Sequence, residues 1–554
     1  MRWRPPASGF CSTHRTTSRV RSCGWTADSQ PPEAIASGVP STEEVRREGV
    51  QYAVDLFSAE QNLRQRPTTT RPRRQVIEDI HSESITVNSE PITHGTADNL
   101  ERKFSMTKKI LVRNGYVLSM SGLEANDGFR DVLIAGGLIA AIAPSISSDD
   151  ATVIDAEGCI VMPGLVDAHR HYWYTPIRAG GMDHTLKDIG KGIWSKVGRN
   201  LTPEDIYAAT RAGIVEALNM GVTTVLDYCH ALNSPAHADR AIDAHLELPA
   251  RALYAYGPGM AQKVTEITGG TPVTDWSYAK VIQDRLKDSA RISLALALQG
   301  PVTSGRKNFE YNLDTARKMG VPISAHIAVN AGGPKNQEIG LLHEWGLLGP
   351  DMSLVHCVGS SEEDFAKMYE AKVQVSVTPL CEWFIGMGMP PMTLMHRAGL
   401  KPAIGADSII ASSGDLFEEA RAGLLAARCV AQLEVIASGP ALSRPEELEM
   451  TTMEGVETIT SRGAAAVLMP DTIGTLEIGK KADVIAVSNR GFTPESNIEA
   501  GALLMGSAAA VDVKTVIVDG LVVKDRGRLV GIDTESIQRD LVDARKRMKS
   551  YLNL

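Results

Sequence analysis

Between residues 108 and 161 the apolar positions come in short runs, at 110–118, 131–137, 139–143 and 153–161. Runs of that length, rich in Val and Ile, predict β-strands rather than helices. Asn114-Gly115 and Gly136-Gly137 are hairpin signals, because the tight two-residue turns need left-handed backbone. The far end of the chain has the same texture at 474–479, 482–487 and 513–523, with a turn at Asp519-Gly520. Two β segments flanking a long body predict one small sandwich assembled from both sides of it.

Within the body, strand-like runs alternate with helical ones. The stretch 203–220 predicts the clearest helix, with Thr202 as its N-cap, Pro203 first, Asp205 third and Gly221 as its stop. Strand-like runs fall at 160–166, 222–227, 252–256, 292–298, 321–327, 352–357, 373–377 and 402–406. Eight parallel βα units predict an α/β fold, a (β/α)8 barrel of the triosephosphate isomerase type, with its functional groups at the C-terminal strand ends. The expected division is an N-terminal extension at 1–105, a composite β-sandwich from 106–160 and 470–530, a barrel at 161–469 and a C-terminal helix at 531–554.

Composition changes this picture little. The 554 residues are 43% hydrophobic and 22% charged, as in ordinary globular proteins. A net charge of −9 offers no field for nucleic acid, and no apolar run approaches the roughly 20 residues that span a bilayer. The expected partner is a small molecule, with neither nucleic acid nor membrane; a homo-oligomer is left open. Seven scattered cysteines without a CxxC pair suit a reducing compartment and exclude a thiolate metal site.

Residues 1–105 are polar and interrupted by Pro67, Pro72 and Pro91, and read as a disordered extension in which Ser41 to Glu44 could cap one short helix. The first 27 residues hold arginine and no acid, as transit peptides do, but Pro5, Pro6 and Gly9 break any amphipathic helix. A cytoplasmic location is therefore expected. Met106 directly precedes the first regular strand and could itself be a start.

The chemistry sits at the strand ends. His169 and His171 close the first run, His326 the fifth, His356 the sixth and Asp407 the eighth. On a barrel these five side chains converge at one mouth. Neutral imidazoles with one carboxylate suit zinc or iron(II) and leave a position open for water, which such a metal turns into a hydroxide nucleophile near neutral pH.

His169-x-His171 after the residues 162–167, together with His326, His356 and Asp407, resembles the amidohydrolase superfamily in its cytosine-deaminase-like, triazine-hydrolase-like branch. The likeness runs from about 107 to 530 and includes 474–484. It implies a mononuclear hydrolase that attacks a non-peptide C–N bond of a cyclic or heteroaromatic compound with metal-bound hydroxide. His169, His171, His326 and Asp407 would hold one divalent metal, Zn2+ first and Fe2+ second. His356 would touch the bound water or substrate, and Asp407 would also take the water's proton. Binuclear relatives bridge their metals with a strand-3 or strand-4 lysine; 251–257 and 292–301 contain none.

One position departs from that pattern. Deaminases of the branch carry a proton-shuttling glutamate three residues after the strand-5 histidine, where this chain has Val329. Glu382, His230 and His356 are the candidate replacements, Glu382 foremost. Trp173, Tyr174 and Arg178, which follow the metal motif, and His230 are candidate substrate contacts. The stretch 386–391 could form an active-site loop, whereas Gly332 to Lys335 lacks the context of a phosphate cradle. Alternatives are a dechlorinating or ring-opening hydrolase of the same fold, or a non-catalytic barrel; retention of every ligand speaks against the last.

Overall fold

The computed structural model describes residues 109–257, 274–329, 337–439 and 444–552. The expectations for 1–105 and for Gly332 to Lys335 lie outside them. Two sheets make the sandwich. One orders Leu138–Ala143, Asp131–Ala135, Lys109–Arg113 and Ala151–Asp155. The other orders Arg528–Leu529, Leu521–Asp525, Val513–Val518, Val484–Ser488, Cys159–Pro163, Tyr116–Val117 and Gly128–Phe129. Val484–Ser488 runs antiparallel to Cys159–Pro163, so segments from both sides of the barrel share one sheet. Ile110, Val112, Val132 and Ile134 of the first sheet meet Val161, Val484, Ala486 and Ile517 of the second in a common buried cluster. Burying each such side chain is worth about 1.5–3 kcal/mol.

The barrel strands are β1 (Leu165–Arg170), β2 (Val222–Cys229), β3 (Arg251–Tyr256), β4 (Ile292–Gln299), β5 (Ile323–Ile327), β6 (Met352–His356), β7 (Gln374–Val377) and β8 (Ala403–Ile404). They pair in sequence order, all parallel. Leu226, Leu253, Ala255, Ala295 and Ala297 fill the interior with Ala464, Val467 and Ile473, so the barrel is packed rather than hollow. The buried Arg251 guanidinium grips Asp483 at 2.9 and 3.1 Å and ties the barrel to the strand that follows Asp483.

The ring closes beyond the end of β8. Asp407 N–H donates to the His169 carbonyl at 2.8 Å, His171 N–H donates to the Asp407 carbonyl at 3.0 Å, and Ala406 N–H donates to Asp167 Oδ1 at 3.0 Å. The seam of the barrel thus runs through the candidate ligands.

One strand differs from expectation. The run 160–166 divides at Gly164: its first part lies in the seven-stranded sheet, and β1 starts at Leu165. A Cβ on Gly164 would lie 2.2 Å from Thr223 Oγ1, so only glycine lets the chain pass from sheet to barrel there. The helix Pro203–Asn219 begins with the expected cap, Thr202 Oγ1 accepting from Asp205 N–H. The last helix, Thr534–Leu552, lies against it through Arg547–Asp205 and Arg211–Asp540, both 2.7 Å. Among the described residues no helix is long and apolar enough to cross a membrane.

Candidate metal centre

His169 lies in β1 and His171 follows it by one residue, and their Nε2 atoms are 3.2 Å apart. His326, in β5, brings its Nε2 to 3.2 Å from that of His169. Asp407 Oδ1 lies 3.1 Å from His171 Nε2 and 3.6 Å from His169 Nε2. Ligand atoms placed tetrahedrally at 2.0–2.1 Å from a zinc ion are about 3.3 Å apart. The His169–His171, His169–His326 and His171–Asp407 separations come close to that spacing, and His169 is shared by two groups of possible ligands, one with His171 and Asp407 and one with His326 and His356.

Their protonation fits as well. His171 Nδ1–H donates to the Tyr228 carbonyl at 2.6 Å, which leaves the Nε2 lone pair pointing inward. Burial pulls the His169 imidazole down to about 3 and holds His326 well below its ordinary value, so both are neutral. Burial opposes the Asp407 charge, but the imidazoles of His169 and His171 beside it outweigh that and hold its carboxyl well below the usual carboxylate range. Buried lone pairs facing one another without a proton between them repel, and a divalent cation relieves that.

His356 ends β6 with a left-handed backbone, φ +71°, and Asp407 has φ +51°. Such conformations cost roughly 1–3 kcal/mol for residues other than glycine and gather at functional sites. His356 Nε2 lies 4.0 Å from Asp407 Oδ2, while its Nδ1 lies 3.1 Å from Glu382 Oε1 and 3.2 Å from Thr378 Oγ1. Burial disfavours the imidazolium, but the Glu382 hydrogen bond and the charges of Asp407 and Glu382 outweigh it and raise the His356 pKa. Glu382 belongs to the helix Pro379–Phe384, is fully buried and also accepts Thr378 N–H at 2.9 Å. It stands behind His356, outside the cavity wall.

The cavity over these groups measures about 470 Å³, within the range of small-molecule sites. His230 lines it, its ring 4.5 Å from that of His171, with burial holding its pKa well down. Trp173 and Arg178 do not. The Trp173 ring lies 3.8 Å from that of Tyr174, and it is Tyr174 that faces the cavity. Arg178 pairs with Glu216 and donates to the Ser413 carbonyl at 3.0 Å. Of the loop 386–391, Met387 reaches the wall.

Several lining residues went unread in the sequence: Trp194, Gln299, Thr303, Glu338 and Ser408. Gln299 is a polar residue at the end of β4 and could have been found by the strand-end rule. Trp194 sits in a π-helical segment, Gly190–Val197, whose spacing matches neither common period. A larger hollow of about 1020 Å³ lies at the N-terminal ends of β3–β5, bordered by Arg251, Arg291 and Arg317; no candidate ligand faces it.

The geometry agrees with what the chain resembles. The Amidohydrolase family model matches residues 160–523. A 5-methylthioadenosine/S-adenosylhomocysteine deaminase of Moorella thermoacetica is 30% identical over 452 residues, 77% of this chain and 97% of that protein. A 5'-deoxyadenosine deaminase of Methanosarcina acetivorans is 26% identical over 455 residues, 80% of this chain and 99% of that one. Among solved structures, an adenosine deaminase from Xanthomonas campestris with bound zinc superposes with a TM-score of 0.68 at 23% identity, covering 80% of this chain and 98% of that one. The atrazine chlorohydrolase of Arthrobacter aurescens TC1, complexed with zinc, gives 0.66 at 22% identity, covering 79% and 100%. At that identity the two structures speak for the fold alone.

Proposed function

The chain belongs to the amidohydrolase family, and from that premise we propose that it is a metal-dependent aminohydrolase of small heteroaromatic compounds, adenine-type rings first among them. Water would replace the exocyclic amino group, which leaves as ammonia. The observation that carries this reading is the convergence of three imidazole Nε2 atoms and one carboxylate oxygen beneath a 470 Å³ cavity.

His169, His171, His326 and Asp407 would hold one divalent ion, zinc before iron(II), since three neutral nitrogens and one oxygen are zinc's usual partners. Such an ion supplies a Lewis acid that makes water nucleophilic near neutral pH. Asp407 Oδ2, turned toward His356, is positioned to take a proton from the attacking water. His356, whose pKa Glu382 raises, would in its protonated form present Nε2–H to the oxygen as it gains negative charge. Tyr174, Trp194, Ile385 and Met387 form an apolar wall for a flat ring, and Gln299 and Thr303 offer hydrogen bonds to its edges. Free buried cysteines, Cys159, Cys229, Cys357 and Cys381, support a reducing compartment, the cytoplasm.

The test is elemental analysis joined to ammonia release from 5'-deoxyadenosine, 5'-methylthioadenosine, S-adenosylhomocysteine and aminotriazines. One metal per chain and ammonia from at least one compound are expected. A fully metal-loaded protein that releases ammonia from none of them would refute the reading. A second reading, displacement of a ring halide, is favoured by Val329, because a halide leaves without needing a proton. Chloride released from a chlorotriazine, with no ammonia from any amine, would select it.

A further inference from the structure

Two carboxylates among the described residues line the cavity: Asp407 and Glu338. Glu338 opens the helix Glu338–Glu344, and its side chain turns back beneath the ends of β4 and β5. Oε1 accepts Val302 N–H at 3.0 Å and Oε2 accepts Ala328 N–H at 2.6 Å. The backbone is shaped around it. A Cβ on Gly300 would lie 2.5 Å from Glu338 Oε1 and 2.9 Å from the His326 carbonyl, so glycine leaves the gap that the carboxylate fills. Ala328, two residues after His326, takes a left-handed φ of +48°. Two backbone donors fix the carboxylate without relying on a flexible partner, and each oxygen keeps a second lone pair.

Building on the aminohydrolase reading, we propose that Glu338 is the catalytic carboxylate that carries the proton to the ring nitrogen, the task Val329 cannot perform. Water's oxygen bonds to the ring carbon while its proton passes to Glu338 and on to the ring nitrogen, which receives the C=N π pair. The remaining hydroxyl proton, taken up by Asp407, goes to the amino group. The exocyclic C–N bond then breaks, ammonia leaves with its electron pair, and a ring carbonyl forms. Glu338 ends ionised, as it began.

The test compares the metal-loaded full chain with its variants on an aminated ring that the parent turns over. Glu338→Gln should lower kcat by about 100-fold or more, with KM within about threefold and with metal content and melting temperature unchanged. Adding Val329→Glu to Glu338→Gln should restore at least about tenfold, because a shuttle can act from either side of the same ring, whereas a prop for Ala328 cannot be replaced from there. A kcat within about threefold of the parent in Glu338→Gln, or no recovery in the double variant, overturns the assignment. Should Glu338→Gln fail to fold, Glu338→Asp decides: kcat about tenfold lower at unchanged KM supports the role, and unchanged kcat overturns it. A metal-loaded parent that releases no ammonia removes the aminohydrolase reading, and this one with it; equal turnover by parent and variant removes only this one.

Discussion

Glu382 Oε1 lies 3.1 Å from His356 Nδ1, on the side of the imidazole away from the cavity. Its own carboxyl does not reach the wall, so any effect of the glutamate on substrate would pass through the histidine. Its charge raises the His356 pKa, so the imidazolium persists to higher pH than an ordinary histidine would. Glu382→Gln removes that charge, and the His356 pKa falls. If turnover needs the protonated form, the alkaline limb of the kcat–pH profile moves to lower pH, and kcat at neutral pH drops by roughly 10²-fold. Metal content should stay at the parent level. A superimposable pH profile would show that His356 does not work as an acid.

His169→Ala and Asp407→Ala each delete one donor of the four. Both variants should lose activity and most of their metal, read by elemental analysis against one ion per parent chain. Chelation of the parent should lower its melting temperature, since a ligand at a thousand times its Kd stabilises by about 4 kcal/mol. Two ions per chain, or a chelated protein that melts unchanged, contradicts a mononuclear site built this way.

Gly405 sits where the barrel closes, and a Cβ there would lie 2.6 Å from both the nitrogen and the oxygen of His169. Neither atom belongs to a flexible side chain. Gly405→Ala should therefore destabilise the protein by about 2–3 kcal/mol and weaken metal retention at the same time. Urea denaturation together with metal release measures both; a stable variant with normal metal would mean that the seam yields.

Arg170, between the two β1-side histidines in sequence, is buried with Glu216 at 2.6 Å and Asp167 at 3.5 Å. Asp167 in turn receives Ala406 N–H, so this charge set braces the closing strand. Arg170→Met strands the buried Asp167, while Glu216 keeps Arg178, and should cost about 3–5 kcal/mol. An unshifted denaturation midpoint would show that the network is dispensable.

A chain starting at Met106 should fold and turn over as the full chain does, because every candidate ligand and cavity residue among the described residues lies beyond Lys109. Loss of soluble, active protein would assign the first 105 residues a structural part.

Much of this architecture is local in origin and could be read directly. Thr202, Pro203 and Asp205 specify their helix start within four residues, and the eight apolar runs announce the barrel because parallel strands are buried on both faces. His169, His171, His326, His356 and Asp407 were legible as strand-end residues. What could not be read depends on distant contacts. Gly164 divides a continuous apolar run because of Thr223, and nothing near Gly164 says so. Tyr174 rather than Trp173 faces the cavity because the segment Tyr172–Ile177 winds as a 3-10 helix. Glu338 has no fixed spacing from His326, and its place follows from Gly300 on another βα unit.

The pairing of Cys159–Pro163 with Val484–Ser488 sets an order of events during synthesis. The earlier strand leaves the ribosome with both faces apolar and must wait for a partner encoded beyond the whole barrel. At about 5–20 residues per second that wait lasts on the order of tens of seconds. Until then its edge is open to strands of other nascent chains, the usual route to aggregation. Yield of soluble protein should therefore depend on translation speed, growth temperature and chaperone supply more than the finished molecule's stability would suggest.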